Sequence, residues 1–106
     1  MKYWFHDIGI NEEGKIVEVV LNYAANVRVM DKQSYEEYKN RRPYKSVSKY
    51  VTSSPYFTKL PRKAHWVVVI DLDGQTANII SVVRVHQRAT IKTKGVPTQS
   101  PVYVGK

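Results

Sequence analysis

The sequence predicts a mainly β domain: an antiparallel β-sandwich or partly open barrel of about seven strands with one short helix. Valine, isoleucine, threonine and tyrosine dominate in short runs, and turn residues such as Gly, Pro, Asn and Ser interrupt these runs. The chain has 106 residues, which suffices for one domain with one core but is too short for two ordinary domains.

The first five strands follow from apolar and polar alternation and from the turn residues between the runs. We expect them at residues 3–8, 15–21, 25–30, 44–51 and 56–60, with Gly9 ending the first. In the third, Val27 and Val29 alternate with Arg28, which predicts one apolar face and one polar face.

One helix is expected over residues 32–40. Asp31 can cap it by accepting a hydrogen bond from a free backbone N–H of the first turn. Tyr35 and Tyr38 are three residues apart and therefore share a face of the helix. Pro43 disfavours helical geometry at the residue before it, so the helix should end close to residue 40.

The last two strands are predicted at residues 64–72 and 75–85, joined by Asp73-Gly74, a dipeptide typical of two-residue hairpin turns. Trp66, Val68 and Ile70 alternate with other apolar residues, so both faces of the first arm should be covered and the strand should be central. Asp71 lies at the predicted hairpin tip, where an aspartate ordinarily helps to form the turn.

Residues 1–86 form the predicted β-sandwich domain, and residues 87–106 are predicted to be a basic flexible tail or linker. The second segment is polar and is interrupted by Gly95, Pro97 and Pro101, without the periodicity of a strand or helix.

Composition also predicts the compartment. There is no cysteine, which excludes disulfides and thiolate metal sites and fits a reducing environment. The first residues lack the apolar core of a signal peptide, and no apolar run approaches the roughly 20 residues of a membrane span. We therefore expect a cytoplasmic protein with no membrane association.

Charge is sorted along the chain, and this sorting is the main functional signal in the sequence. Residues 39–63 hold eight Lys and Arg residues and no acid, whereas residues 1–38 have a net charge of −3. A stretch with so little compensation should attract an anionic partner. The eight basic residues are Lys39, Arg41, Arg42, Lys45, Lys49, Lys59, Arg62 and Lys63.

The candidate binding residues combine this charge with interleaved tyrosines. They are Lys39, Arg41, Arg42, Tyr44, Lys45, Lys49, Tyr50, Arg62 and Lys63. Their favoured partner is a protein surface, either an acidic protein or a second copy of the chain. Cations also neutralise phosphates and aromatic rings stack on bases, so a nucleic acid or a phosphorylated small molecule remains an alternative anionic ligand.

No catalytic constellation is evident. His6, His65 and His86 fall on different predicted strands and lack the close spacing of a metal site. Ser54 precedes Pro55 in a turn without a nucleophile motif, and no glycine-rich phosphate loop is present. We expect no enzymatic activity, no metal and no cofactor; a small hydrolase or lyase centred on a histidine is the alternative from a different class.

Two blocks of the sequence resemble a bacterial family called domain of unknown function 1883. The first runs from residue 25 to 31 and reads Ala-Asn-Val-Arg-Val-Met-Asp, with Tyr35 and Tyr38 shortly after it. The second runs from residue 65 to 72 and reads His-Trp-Val-Val-Val-Ile-Asp-Leu. Asn26 belongs to the first block, and its amide could either close a turn or bind a ligand.

The resemblance implies a small β-sandwich module that occurs alone or ahead of Toll/interleukin-receptor (TIR) domains, with no established activity and no defined catalytic residues. By analogy it suggests a sensing or adaptor role in bacterial defence. Together with the charge, it predicts a non-catalytic binding, sensing or adaptor module.

Overall fold

The structure of the protein, a computed structural model, describes residues 3–72 and 77–87. Over these ranges the chain forms seven strands and one short helix, which confirms the mainly β class. The elements are β1 (Tyr3–Asn11), β2 (Ile16–Leu21), β3 (Ala25–Asp31), α1 (Lys32–Lys39), β4 (Val47–Val51), β5 (Tyr56–Lys59), β6 (Ala64–Asp71) and β7 (Ser81–His86).

The strands form two antiparallel sheets. A four-stranded sheet has the order β1-β6-β3-β4, and a three-stranded sheet has the order β5-β2-β7. Within the described ranges neither sheet closes into a barrel, so the architecture is that of a sandwich or open barrel.

The main core lies between the two sheets. Val17 and Val19 of β2 meet Trp66, Val68 and Ile70 of β6 there, and all five side chains are buried. Trp66 is only 4% exposed, and its indole N–H donates to a backbone carbonyl at 3.1 Å. The predicted inward register of β6 is therefore confirmed.

A second, smaller core covers the outer face of the four-stranded sheet. Val67 and Val69 of β6 pack there with Met30, against Tyr35 and Tyr38 of α1. Both tyrosines are buried, as their shared helix face predicts. β6 is thus central and covered on both faces, which is why its sequence is an almost continuous apolar run.

The predicted hairpin between the last two strands is wrong. β6 pairs with β1 and β3, whereas β7 pairs with β2 in the other sheet. β1 and β3 occupy both sides of β6, so the strand that follows it in sequence cannot pair with it as a hairpin. The Asp73-Gly74 turn itself lies outside the described residues, and the strand that follows begins at Ser81 rather than at residue 75.

Three other predicted boundaries also differ or stay open. β1 continues through Gly9, which has φ +74° and marks a register shift in the pairing with β6, so the glycine forms a bulge instead of ending the strand. β4 begins at Val47 rather than at residue 44. Of the predicted tail, only Gln87 lies within the described residues, so the flexible-tail prediction stays a prediction.

Candidate functional site

Helix α1 organises the face on which most of the candidate residues lie. Its first turn is capped by Asp31, whose carboxylate accepts a hydrogen bond from the Ser34 backbone N–H at 2.7 Å. This interaction satisfies one of the N–H groups that a helix leaves unpaired at its start, as the sequence predicts. The cap therefore fixes where α1 begins.

The C-terminal end of α1 holds Arg41 in an unusual backbone conformation. The Arg41 N–H donates to the Tyr38 carbonyl at 3.1 Å and the Arg42 N–H to the Glu37 carbonyl at 2.9 Å, which together form a Schellman motif. Arg41 has φ 59°, in the left-handed region that this motif usually fills with glycine. A residue with a Cβ is disfavoured there by roughly 1–2 kcal/mol.

Beneath α1, one buried carboxylate receives hydrogen bonds from three residues of two other elements, β3 and α1. Asp71 at the end of β6 is 1% exposed. It accepts from the Arg28 Nε of β3 at 2.8 Å, from the Tyr38 hydroxyl of α1 at 2.8 Å and from the Asn26 amide at 3.4 Å. Burial, followed by the Asp71 carboxylate, raises the pKa of Tyr38, so its hydroxyl stays a donor. This network ties the helix to the sheet.

Asn26, for which a turn role and a ligand role are both open from the sequence, lies within β3 rather than in a turn. Its register partners are Asp71 on one side and Tyr50 of β4 on the other. Residues that face each other across antiparallel strands share a sheet face. Asn26 therefore lies between the buried network and an exposed tyrosine.

Two candidate tyrosines belong to this same face. The Tyr44 ring packs edge-on against Tyr38 at 5.2 Å between ring centroids. Tyr50 is opposite Asn26 and is 59% exposed. Tyr44 thus packs against helix α1, whereas Tyr50 is exposed to solvent.

Four of the candidate basic residues form ion pairs with acids from outside the basic stretch. Their pairs are Lys39 with Glu36 at 3.2 Å, Arg42 with Glu37, Arg62 with Asp31, and Lys63 with Glu12 at 3.5 Å. The charges that are segregated in the sequence are therefore largely mixed in space. Arg41, Lys45 and Lys49 form no ion pair with any other residue in the described ranges.

The candidate residues do not form one continuous patch. Arg62 pairs with the N-cap of α1, whereas Arg41 and Lys45 follow its C-terminus, and eight helical residues separate these ends by about 12 Å. Lys59 lies opposite Ile16 in the three-stranded sheet. The charges without an ion pair concentrate instead in the loop after α1 and in β4. We call this region the α1–β4 surface; it comprises Arg41, Tyr44, Lys45 and Tyr50, together with Lys49, which projects from the other face of the β4 edge.

The three histidines lie in different places. The His6 Nε2 is 2.8 Å from the Ser81 hydroxyl, and burial lowers the pKa of His6. His65 bonds to Asp7 at 2.7 Å, next to the β1 bulge. On the three-stranded sheet, the His86 ring lies 2.7 Å from a carboxylate oxygen. Across residues 3–72 and 77–87, no group of three or more His, Asp or Glu side chains could hold a metal ion.

Sequence reasoning missed the Asp71 network. Asp71 is not a hairpin residue but a buried acceptor, and the reason is the strand pairing described above. A signal was present: a single acid ends a strand that is otherwise apolar, and a single arginine interrupts the buried valines of β3. Opposite charges in two such strands indicate a buried pair only once the strands are known to be neighbours.

The family model of a domain of unknown function, DUF1883, matches residues 1–89. The chain belongs to the DUF1883 family. No curated protein and no solved structure matches it. In the part of this DUF1883 domain that the structure describes, no helix is long and apolar enough to cross a membrane.

Proposed function

We propose that this DUF1883 domain is a non-catalytic binding module, and that it docks an acidic segment of a protein partner on the α1–β4 surface. The observation that carries the proposal is the conformation of Arg41. A glycine would adopt φ 59° without strain, so the backbone alone gives no reason for an arginine. Strain held at one exposed residue supports a role for its side chain.

The location of Arg41 also supports an anionic partner. Arg41 is exposed, and its full positive charge exceeds the partial negative charge of roughly half a unit that the carbonyl groups at the helix C-terminus carry. Lys45 follows in the same loop, and neither side chain has an ion pair in the described ranges. Both cations are exposed and available to a carboxylate from outside the chain.

A protein partner is supported more strongly than a nucleic acid. Nucleic-acid binding uses a positively charged groove that follows many phosphates. Here the basic residues are divided between the two ends of α1 and the other sheet, and four of them are neutralised by intramolecular pairs. A compact surface with arginine and an exposed tyrosine is typical of protein interfaces.

The proposal includes the adaptor or sensing role that the resemblance implies, in the cytoplasm and next to a TIR-type effector. In such a role the domain needs only to recognise a partner. The histidines bond to three different residues, Ser81, Asp7 and Glu18, and this separation supports recognition rather than a hydrolase or lyase reaction.

Binding of a peptide probe tests the proposal. The probe is a fluorescein-labelled peptide that alternates glutamate and valine over about eight residues. Lys45→Glu should weaken its binding roughly fivefold, because reversing an exposed charge changes an ion-pair energy by about 1 kcal/mol. Lys59→Glu makes the same change in net charge on the other sheet and should have little effect.

A mixed-sequence oligonucleotide in the same anisotropy assay provides the second arm. Any basic protein binds nucleic acid at about 10⁻⁴–10⁻⁶ M at physiological salt, so only tighter binding is informative. Equal effects of the Lys45 and Lys59 variants on the peptide would contradict the proposal. Oligonucleotide binding tighter than that range, lost in the Lys45 variant, would replace it with the nucleic-acid alternative.

A further inference from the structure

Strand β4 ends the four-stranded sheet, and its second edge carries no other strand of the described ranges. Its backbone N–H and C=O groups on that side point away from β3. Four of its five residues are exposed, including Val47 and Tyr50. Such an edge is a template on which another extended chain can pair.

We propose that the acidic partner adds a strand to the free edge of β4, so that backbone pairing and the charges of the α1–β4 surface act together. This inference rests on the proposed function and states how the partner binds. Backbone hydrogen bonds would supply affinity for any extended chain, and the basic residues would select an acidic one.

The charge of β4 determines which strand it accepts. Lys49 is within the strand and Lys45 precedes it, while the sequence holds no acid between Glu37 and Asp71. Both of these acids are already engaged, with Arg42 and Arg28 respectively. Two copies of β4 placed edge to edge would bring lysines together, so the same residues that oppose self-pairing favour an acidic strand.

The register of β4 predicts the pattern of the partner. Lys49 lies opposite Val27 on the core side of the sheet, whereas Tyr50 lies opposite Asn26 on the helix side. An added strand alternates in the same way, so carboxylates on one of its sides would meet Lys49 while apolar residues on the other side would contact Tyr50. An alternating acidic and apolar sequence fits this edge.

The other sheet edges fit an acidic strand less well. β1 is nine residues long, but its bulge at Gly9 interrupts the regular pairing and its Asp7 adds a negative charge. β5 has four residues. On β7, Arg84 and His86 already contact Glu18. β4 thus combines a regular edge with lysine charge that has no ion pair in the described ranges.

The decisive experiment alters the probe rather than the protein, so the fold is not at risk. The alternating glutamate and valine peptide is compared with the same peptide carrying backbone N-methyl groups on alternate residues, which removes donors along one edge and keeps the charge. We expect N-methylation to weaken binding at least tenfold, since each lost backbone hydrogen bond contributes severalfold. Methylating the opposite set of residues should weaken binding much less.

Amide hydrogen exchange of the protein locates the bound strand. With the unmodified peptide, amides within Val47–Val51 should exchange at least severalfold more slowly, while amides of β5 should not change. Lys49→Glu should weaken binding roughly fivefold, as Lys45→Glu does, and should reduce this protection at the same peptide concentration, whereas Lys59→Glu should preserve both.

The failures of the two proposals are distinguishable. If both N-methylated peptides bind like the parent and β4 exchange is unchanged, while Lys45→Glu still weakens binding, edge pairing is wrong and the charged docking surface stands. Protection at β1 or β7 in place of β4 would also overturn the inference. If Lys45→Glu and Lys49→Glu act no more strongly than Lys59→Glu, both proposals fail.

Discussion

The two outer faces of the sandwich hold similar ion pairs in different surroundings. On the helix-covered face, Arg28 and Asp71 are 18% and 1% exposed and lie 2.8 Å apart. On the outer face of the three-stranded sheet, Arg84 approaches Glu18 at 3.5 Å and is 55% exposed. No described helix covers that second face. We therefore expect burial, rather than the identity of the charges, to determine what each pair contributes to stability.

The physical reason is desolvation. Removing an ion from water costs several kcal/mol, so a buried carboxylate is tolerated only when several donors replace the lost water. Asp71 has donors from Asn26, Arg28 and Tyr38. Glu18 is 14% exposed, but its partner Arg84 is 55% exposed and keeps much of its hydration, so we expect this pair to contribute only about 0.2–1 kcal/mol.

Removal of the buried carboxylate should produce the largest effect. Asp71→Ala removes the carboxylate that pairs with the largely buried Arg28 charge and that accepts from the Tyr38 hydroxyl. We expect a loss of about 3–5 kcal/mol in the free energy of unfolding, measured by denaturant titration. A loss below about 1 kcal/mol would mean that solvent reaches this site and that the two faces do not differ.

A double variant separates the charge effect from the packing effect. Arg28→Met with Asp71→Leu removes both charges and retains similar side-chain volume. Because a matched apolar pair needs no desolvation, much of the stability lost in Asp71→Ala should return. If the double variant is as unstable as the single one, packing or the lost hydrogen bonds from Tyr38 and Asn26, rather than the Arg28 charge, explain the loss.

The second prediction concerns a single hydrogen bond of the same network. Tyr38→Phe keeps the ring against Tyr44 but removes a donor to a charged acceptor, which should cost about 1.5–3 kcal/mol. Tyr35→Phe is the matched control on the same helix face. Among residues 3–72 and 77–87, the Tyr35 hydroxyl bonds only to the neutral Tyr3 hydroxyl, at 3.2 Å, so its removal should cost about 0.5–1.5 kcal/mol.

The helix was predictable from sequence because the signals for it are local. Asp31, Tyr35 and Tyr38 specify the cap and the buried face within a few residues of one another, and the structure confirms both. The inward alternation of β6 was predictable for the same reason. Short-range periodicity predicts which side chains of a strand point into the core, and it does so regardless of which strands pair with it.

The Asp71 network was not predictable, because it depends on pairing between distant strands. The Asp73-Gly74 signal indicates a turn but not the partner of the strand that follows it. Once β7 is assigned to the wrong sheet, Asp71 is misplaced at a hairpin tip. The same limit applies to charge: the separation along the sequence did not reveal that Arg62 pairs with Asp31 and Lys63 with Glu12.

Removing the Glu18 carboxylate, which pairs with Arg84 on the three-stranded sheet, should lower the free energy of unfolding only slightly. The size of this loss should depend on pH. Glu18→Gln should cost less than about 1 kcal/mol near neutral pH. The hydrogen bond from His86, the main cause, lowers the pKa of Glu18 below its ordinary value of 4.5. Glu18 therefore stabilises the fold above that value, and its contribution is lost as the pH falls through the lower folded-state pKa.

Denaturant titrations at neutral pH and in acid test this dependence. The difference between the wild-type chain and Glu18→Gln should shrink as the pH falls below about 4, since the carboxylate becomes protonated in both states. A difference that grows in acid would contradict the assigned direction. A neutral-pH loss as large as that of Asp71→Ala would abolish the contrast between the faces.

The smallest expected effect on stability is a gain rather than a loss. It concerns Arg41, at the C-terminal end of α1, the helix that covers one of the two faces. Arg41→Gly relieves a left-handed arginine but makes the unfolded chain more flexible and removes a cation from the helix terminus. These contributions nearly cancel, so stability should rise by about 0–1 kcal/mol. Arg42→Gly is the neighbouring control: it relieves no strain and removes the pair with Glu37, so it should destabilise by about 0.5–1 kcal/mol.

If Arg41→Gly is neutral or stabilising and still weakens binding of the acidic peptide severalfold, the strain at residue 41 serves recognition rather than folding. If it destabilises as Arg42→Gly does and leaves peptide binding unchanged, Arg41 is a structural helix cap, and the surface loses the observation on which its function rests.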